Sequence, residues 1–166
     1  LFKQQYDSVK MKLGGNLEEL QIEDFTLEKG GKDVWLAKGS VGLTGEQNLD
    51  VRIDTVGSRA EEIASLFENN PTFQDQILTG NVDNVITVTG NLTDPNVVGY
   101  IHFWRGAYNG MIVSGLDGDY FVEGNLIRLQ DFHIQTPMID MVVNGTIDRQ
   151  TLAMDFEANA LDINAR

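Results

Sequence analysis

The residues that could do chemistry in this chain are few and scattered. Its two histidines, His102 and His133, lie at strand-like positions facing away from an aliphatic row, and there is no cysteine. No glycine–serine elbow, P-loop, dinucleotide turn or metal-spaced cluster accompanies them. Asp117-Gly118-Asp119 offers too few oxygens for calcium, and we interpret it as a hairpin turn. The sequence therefore predicts a protein that is not an enzyme and that holds no metal or cofactor.

Charge narrows the possible ligands. The 166 residues carry a formal net charge of -13. Binding to nucleic acid needs clustered Lys and Arg, and docking on an anionic membrane surface needs them as well. We therefore expect no nucleic-acid partner, and any lipid ligand would be held by its tails.

The elements that must position these residues are strands. Seventeen glycines against three prolines predict many tight turns between short segments. Apolar and polar residues alternate in most of those segments, most regularly over residues 151–160. This pattern predicts about ten strands in one mostly β fragment.

One segment departs from the alternation. Ser58 and Glu61 have the spacing of a capping box, and the apolar residues that follow have helical spacing up to Asn69-Asn70-Pro71. We predict a short amphipathic helix over about 59–68, which would cover an end or edge of the sheet.

The chain also repeats itself. Leu20–Leu27 recurs as Ile127–Ile134 a little over a hundred residues later, and Gly39-Ser40-Val41 recurs as Gly145-Thr146-Ile147. In the same way we match Leu49, Val51 and Ile53 with Leu152, Met154 and Phe156. Such self-similarity is typical of modular arrays, which work through one continuous surface.

The repeats contain an irregular step. Apolar residues are three apart across Glu23-Asp24 and across Gln130-Asp131, where strict alternation would make them two apart. We expect a bulge or corner at each place, where the apolar side of the strand changes face.

Residues 88–101, with the sequence VTGNLTDPNVVGYI, resemble the repeating signature of the TamB and AsmA-like family of bacterial envelope proteins. The glycine and aliphatic pattern continues to about residue 163, and residues 13–57 resemble its second half. The family's membrane anchor and further modules are absent, so we interpret the chain as a fragment of a longer array. Its parts would be a partial repeat over about 1–57, a helical connector over about 58–79 and a second repeat over about 80–166.

The resemblance implies a long curled antiparallel meander sheet, a β-taco or open jelly-roll-like groove with an apolar inside. It also implies a place in the periplasm of a diderm bacterium, in a parent anchored in the inner membrane, and a role in carrying phospholipid acyl chains between the membranes. Partners would be neighbouring repeats and outer-membrane assembly proteins. The residues expected to line the groove are Ile86, Val88, Leu92, Val97, Ile101, Phe103, Ile127, Leu129, Ile139, Met141, Val143, Leu152, Met154 and Phe156.

Other interpretations stay open. The same aliphatic residues could pack on one another as a dry core. The protein could be a scaffold that offers edge strands to nascent outer-membrane barrels by β-augmentation. It could also be a closed β-sandwich that binds a ligand at its loops, with Trp104 and Tyr108 of a glycine-rich loop as candidate contacts.

Overall fold

The polypeptide forms one open antiparallel sheet. The computed structural model describes residues 6–61 and 78–163. Within them the sheet runs in the order β1 to β10, each strand pairing with its neighbours in sequence, and β1 does not pair with β10. The strands are β1 Ser8–Gly15, β2 Glu19–Lys29, β3 Lys32–Gly42, β4 Asn48–Arg59, β5 Leu78–Asn91, β6 Asp94–Tyr108, β7 Met111–Glu123, β8 Leu126–Gln135, β9 Ile139–Asp148 and β10 Met154–Ile163. The predicted meander sheet is confirmed, and it is not closed into a barrel.

The sheet has one apolar face and one polar face. Directly paired residues on antiparallel strands point to the same side, so the pairings trace each face across the sheet. On one side, called here the apolar face, lie aliphatic and aromatic residues of all ten strands; the opposite, polar face carries nearly all the strand Lys, Arg, Asp and Glu residues. Representative members of the apolar face, one per strand from β1 to β10, are Met11, Phe25, Ala37, Ile53, Ile86, Ile101, Tyr120, Leu129, Val143 and Phe156.

Bulges keep the apolar residues on that one side. The pairing of β2 with β3 shifts between Ile22 and Phe25, and that of β8 with β9 shifts between Leu129 and Phe132. Each bulge absorbs one extra residue, so the residues before and after it share a face. The predicted bulges are therefore confirmed, but the predicted change of face is wrong.

The structure also corrects the alignment of the two repeats. Gly39 of β3 pairs with Val51, and Gly145 of β9 pairs with Phe156. Val51 therefore corresponds to Phe156 and not to Met154. The reason lies in the turn before β10, where Leu152 has a φ of 59° and donates its backbone N–H to the Asp148 carbonyl oxygen at 2.8 Å. The turn thus holds a residue that the sequence pattern had placed in the strand.

Aromatic rings on the apolar face lie over glycines of the adjacent strand. A Cβ added to Gly99 would lie 2.1 Å from the Tyr120 ring. A Cβ added to Gly118 would lie 2.5 Å from the Phe132 ring, and one added to Gly145 would lie 2.2 Å from the Phe156 ring. Rings that cover glycine in this way shield backbone that has no side chain of its own. The face is therefore partly covered by its own side chains, with the rings lying along the sheet.

The predicted helix lies mostly outside the described residues. Ala60 and Glu61 are helical, and residues 62–68 are beyond the described ranges. Ser58, the predicted cap, belongs to β4 and pairs with Val82 of β5, and Arg59 is the last residue of β4. A bulge between Thr55 and Ser58 lets β4 continue further than the alternation predicted.

Two predicted loops are strand segments. Asp117-Gly118-Asp119 lies inside β7, where Gly118 makes room for Phe132 and the two aspartates face the polar side. Trp104 and Tyr108 lie in β6, and the Trp104 ring stacks on His102 with centroids 5.1 Å apart. The glycines that suggested turns serve close packing instead.

Gly118→Ala is expected to destabilise the fold by about 1–3 kcal/mol, because the new methyl group would overlap the Phe132 ring and force it off the sheet. The matched control is Gly115→Ala on the same strand, where the nearest atom is the flexible end of Gln135 at 3.2 Å. Urea denaturation of both variants checks this, and equal stabilities would contradict the proposed packing.

Candidate binding surface on the apolar face

The structure brings most of the predicted lining residues together on the apolar face. Two are in turns: Leu92 follows the end of β5 and Leu152 precedes β10, and both are about half exposed. The rest share the apolar side through the strand pairings: Ile86, Val88, Val97, Ile101, Phe103, Ile127, Leu129, Ile139, Met141, Val143, Met154 and Phe156.

Side chains on this face form rows that run across the strands. One row starts at Val51 on β4 and continues through directly paired residues to β10. Its members are Val51, Val88, Val97, Val122, Ile127, Ile147 and Met154. Paired residues have Cβ atoms about 4.5–5.5 Å apart, so their methyl groups make a continuous apolar strip. An apolar ligand lying along it would meet nearly the same surface at every strand.

The solvent exposure of the side chains on the apolar face varies along the sheet. Ala60, Val82, Phe103 and Val113 form a cluster with exposed fractions of 2–7%, close to the β4–β5 connection. The edge strands are far more open, and Met154 on β10 is 63% exposed. The surface is thus packed at one place and accessible towards its edges.

A polar pair lies within this apolar surface. The Tyr120 hydroxyl donates a hydrogen bond to Asn84 Oδ1 at 3.1 Å. Tyr120 belongs to β7 and Asn84 to β5, so the side chain crosses β6 above Gly99. Burial raises the pKa of Tyr120, an effect that its hydrogen bond to Asn84 partly offsets. The two polar groups satisfy each other, which lets the apolar face carry them at low cost.

The polar face is built from exposed charged pairs. Arg52 bonds Asp54 with an Nη2 to Oδ1 distance of 2.8 Å. On β1, Lys12 pairs with Glu23 of β2. Exposed pairs of this kind contribute little to stability, because water screens them. Their effect is to keep this side of the sheet in water.

Within the described residues, no group of three or more His, Asp or Glu side chains could hold a metal ion. None of the helices in the same ranges is long and apolar enough to cross a membrane. Comparison with known proteins found no matching family model, no matching curated protein and no matching solved structure.

Sequence reasoning missed the part played by Tyr120, Phe132 and the glycines beneath them. The signal was present: on three pairs of neighbouring strands, β6–β7, β7–β8 and β9–β10, a glycine on the apolar face lies beneath an aromatic ring of the next strand. This glycine–aromatic pattern can be recognised only when the strand register is known. Gly99 and Tyr120 are separated in sequence and come together only through the pairing of β6 with β7.

The Tyr120 hydroxyl is expected to lose its proton at a higher pH than an ordinary tyrosine. Its pKa is raised above the ordinary 10.0, so the buried protonated form stabilises the fold fully below pH 10 and that stability is lost as the pH rises through the higher folded-state value. The difference between tyrosinate absorbance titrations of the wild type and Tyr120→Phe isolates this group. A difference curve with its midpoint at or below pH 10 would contradict the packed position of the ring.

Proposed function

We propose that this chain is a segment of a TamB-like or AsmA-like envelope protein, and that its apolar face holds phospholipid acyl chains on their way between the inner and outer membranes. The single observation that carries this proposal is the continuous apolar face, which no second layer of strands covers among the described residues. The place of action would be the periplasm of a diderm bacterium, and no covalent chemistry is involved.

Surface area supports an open face. The chain exposes 10963 Å², whereas a compact protein of this mass would expose about 8200 Å². Part of the excess is apolar, since Val9, Met11, Met154 and Ile163 are each more than 60% exposed. Exposed apolar area on this scale marks a surface used for binding.

The dimensions suit a lipid tail. Ten strands spaced about 4.8 Å apart give a face about 43 Å wide across the strands, against about 15 Å for the hydrocarbon of one bilayer leaflet. Burying each methylene of a tail contributes about 0.8 kcal/mol. Because successive side chains in a row are chemically alike, neighbouring positions have similar energies, and a tail could move along the face without a deep trap.

Charge is consistent with binding by tails. The net charge of -13 would repel anionic headgroups from most of the protein, so headgroup recognition contributes little to the proposed binding. Headgroups would stay in water at the rim while the tails contact aliphatic side chains. The polar face stays solvated throughout.

Two adjacent valines give a sharp test. Val97 lies on the apolar face, paired with Val88 and Val122, while Val98 lies on the polar face and is 47% exposed. Val97→Glu is expected to weaken uptake of a fluorescent fatty acid about threefold or more, since a carboxylate in the middle of the row would have to be desolvated under a tail and only the ends of the row stay available. Val98→Glu, the matched control, should bind as the wild type does.

The measurement is fluorescent fatty-acid titration, together with native mass spectrometry of protein expressed in bacteria. Circular dichroism of both variants shows whether each is folded. Wild-type protein that never carries phospholipid and never takes up fatty acid would overturn the proposal, as would equal binding by the two variants.

A scaffold for outer-membrane protein assembly is the second candidate function. It is favoured by the two open edges of the sheet, where β1 and β10 each have one neighbour among the described strands. Photocrosslinkers on β10 that capture barrel precursors, with none capturing lipid from the apolar face, would favour this function over lipid transport.

A further inference from the structure

The edges of the sheet carry opposite charges on their polar sides. On β1 the polar side presents Lys10 and Lys12. On β10 it presents Asp155 and Glu157, followed by Asp162. Each lysine already contacts a glutamate of β2, yet their side chains remain 65% and 73% exposed. A strand placed beside β1 could therefore add acidic groups on the other side of the same lysines.

The number of strands fixes how copies could meet. In an antiparallel meander of ten strands, β1 and β10 run in opposite directions. A second copy placed beside the first in the same orientation would therefore lay its β1 antiparallel to β10, with both apolar faces on the same side. The internal repeat supports a partner here, because β4, the counterpart of β10, pairs on its far side with β5.

One register between β1 and β10 of two copies pairs opposite charges on the polar face and apolar residues on the apolar face. If Lys10 stands opposite Glu157, then Lys12 stands opposite Asp155. The same register sets Met11 opposite Phe156 and Leu13 opposite Met154 on the apolar side. Moving by two residues in either direction, which keeps the faces matched, leaves only one lysine opposite an acid. Cross-strand pairs of opposite charge stabilise a sheet and like charges destabilise it.

Symmetric alternatives are disfavoured by charge. Two copies joined through their β10 edges would bring Asp155 and Glu157 against the same acids, and two copies joined through β1 would oppose lysines. A twofold dimer therefore costs repulsion that the head-to-tail arrangement avoids. A head-to-tail contact leaves one free edge of each kind at the ends of the assembly, so it adds further copies and builds chains unless the rotation between copies closes a ring.

We infer that β10 of one copy pairs with β1 of a second copy, head to tail, in the register that sets Lys10 opposite Glu157 and Lys12 opposite Asp155. The result is a sheet that grows with protein concentration and extends the apolar face from copy to copy. This self-association does not depend on lipid binding, so either proposal can fail without the other.

Sedimentation velocity over a concentration series tests this inference with two charge-reversed variants. Lys10→Glu/Lys12→Glu has two acidic edges, and Asp155→Lys/Glu157→Lys has two basic edges. Each alone should associate about tenfold or more weakly than the wild type, since two attractive pairs become repulsive. Mixed together they should associate again, because each acidic edge then meets a basic one.

Lys32→Glu/Lys38→Glu is the control. It changes the net charge by the same amount as Lys10→Glu/Lys12→Glu, but on the interior strand β3, so it should leave association unchanged. Wild-type protein that stays monomeric from micromolar to near-millimolar concentration would overturn the inference. So would association that stops at a dimer, or variants that remain apart when mixed.

Cysteine crosslinking tests the register itself, because the chain contains no native cysteine. Met11→Cys/Phe156→Cys should give a ladder of disulfide-linked multimers under mild oxidation. Val9→Cys/Met154→Cys lies on the same face and the same strands but is out of register, so it should give few. Equal ladders from both pairs would contradict the proposed register.

Discussion

The structure depends on keeping every inward side chain on one side of a long meander. Strand residues alternate between faces, so a single unmatched residue would move all later apolar side chains to water. The bulges at Glu23-Asp24 and Gln130-Asp131 prevent this by absorbing the extra residue locally. Because the register is preserved from β1 to β10, the ten strands add up to one continuous apolar surface.

Such a surface poses a problem for a single-layer sheet, since it needs cover without a second layer of strands. Gly99, Gly118 and Gly145 provide part of the answer by letting aromatic rings lie along the sheet. The rings cover backbone, and among the described residues no second layer of strands lies over the aliphatic rows. Tyr120 adds a hydrogen bond to Asn84 across β6, which fixes its ring in that position. An accessible apolar face and a stable sheet are therefore compatible, and in the proposed function an acyl chain would supply the remaining cover.

Much of this fold could be predicted from the sequence, because alternation and turn glycines are local signals. The strands, the bulges and most members of the apolar face follow from them. What could not be predicted depends on pairing between distant segments. Leu152 continues the alternation in sequence, yet it lies in a turn because the strand pairing of β9 with β10 begins at Met154. Likewise Asp117-Gly118-Asp119 has the composition of a turn, and only the neighbouring Phe132 explains its glycine. The proposal of a lipid ligand comes from the resemblance of residues 88–101 and from the apolar surface, not from the pairing of the strands.

The most direct measurement is paramagnetic broadening of methyl NMR signals by a fatty acid that carries a nitroxide near the end of its tail. The proposed function predicts strong broadening for Ile86, Val88 and Ile101 on the apolar face and much weaker broadening for Val85 and Val98, which lie on the polar face of the same strands. Broadening that is equal on both faces, or absent from the apolar face at saturating fatty acid, would contradict the central claim that this face receives lipid tails.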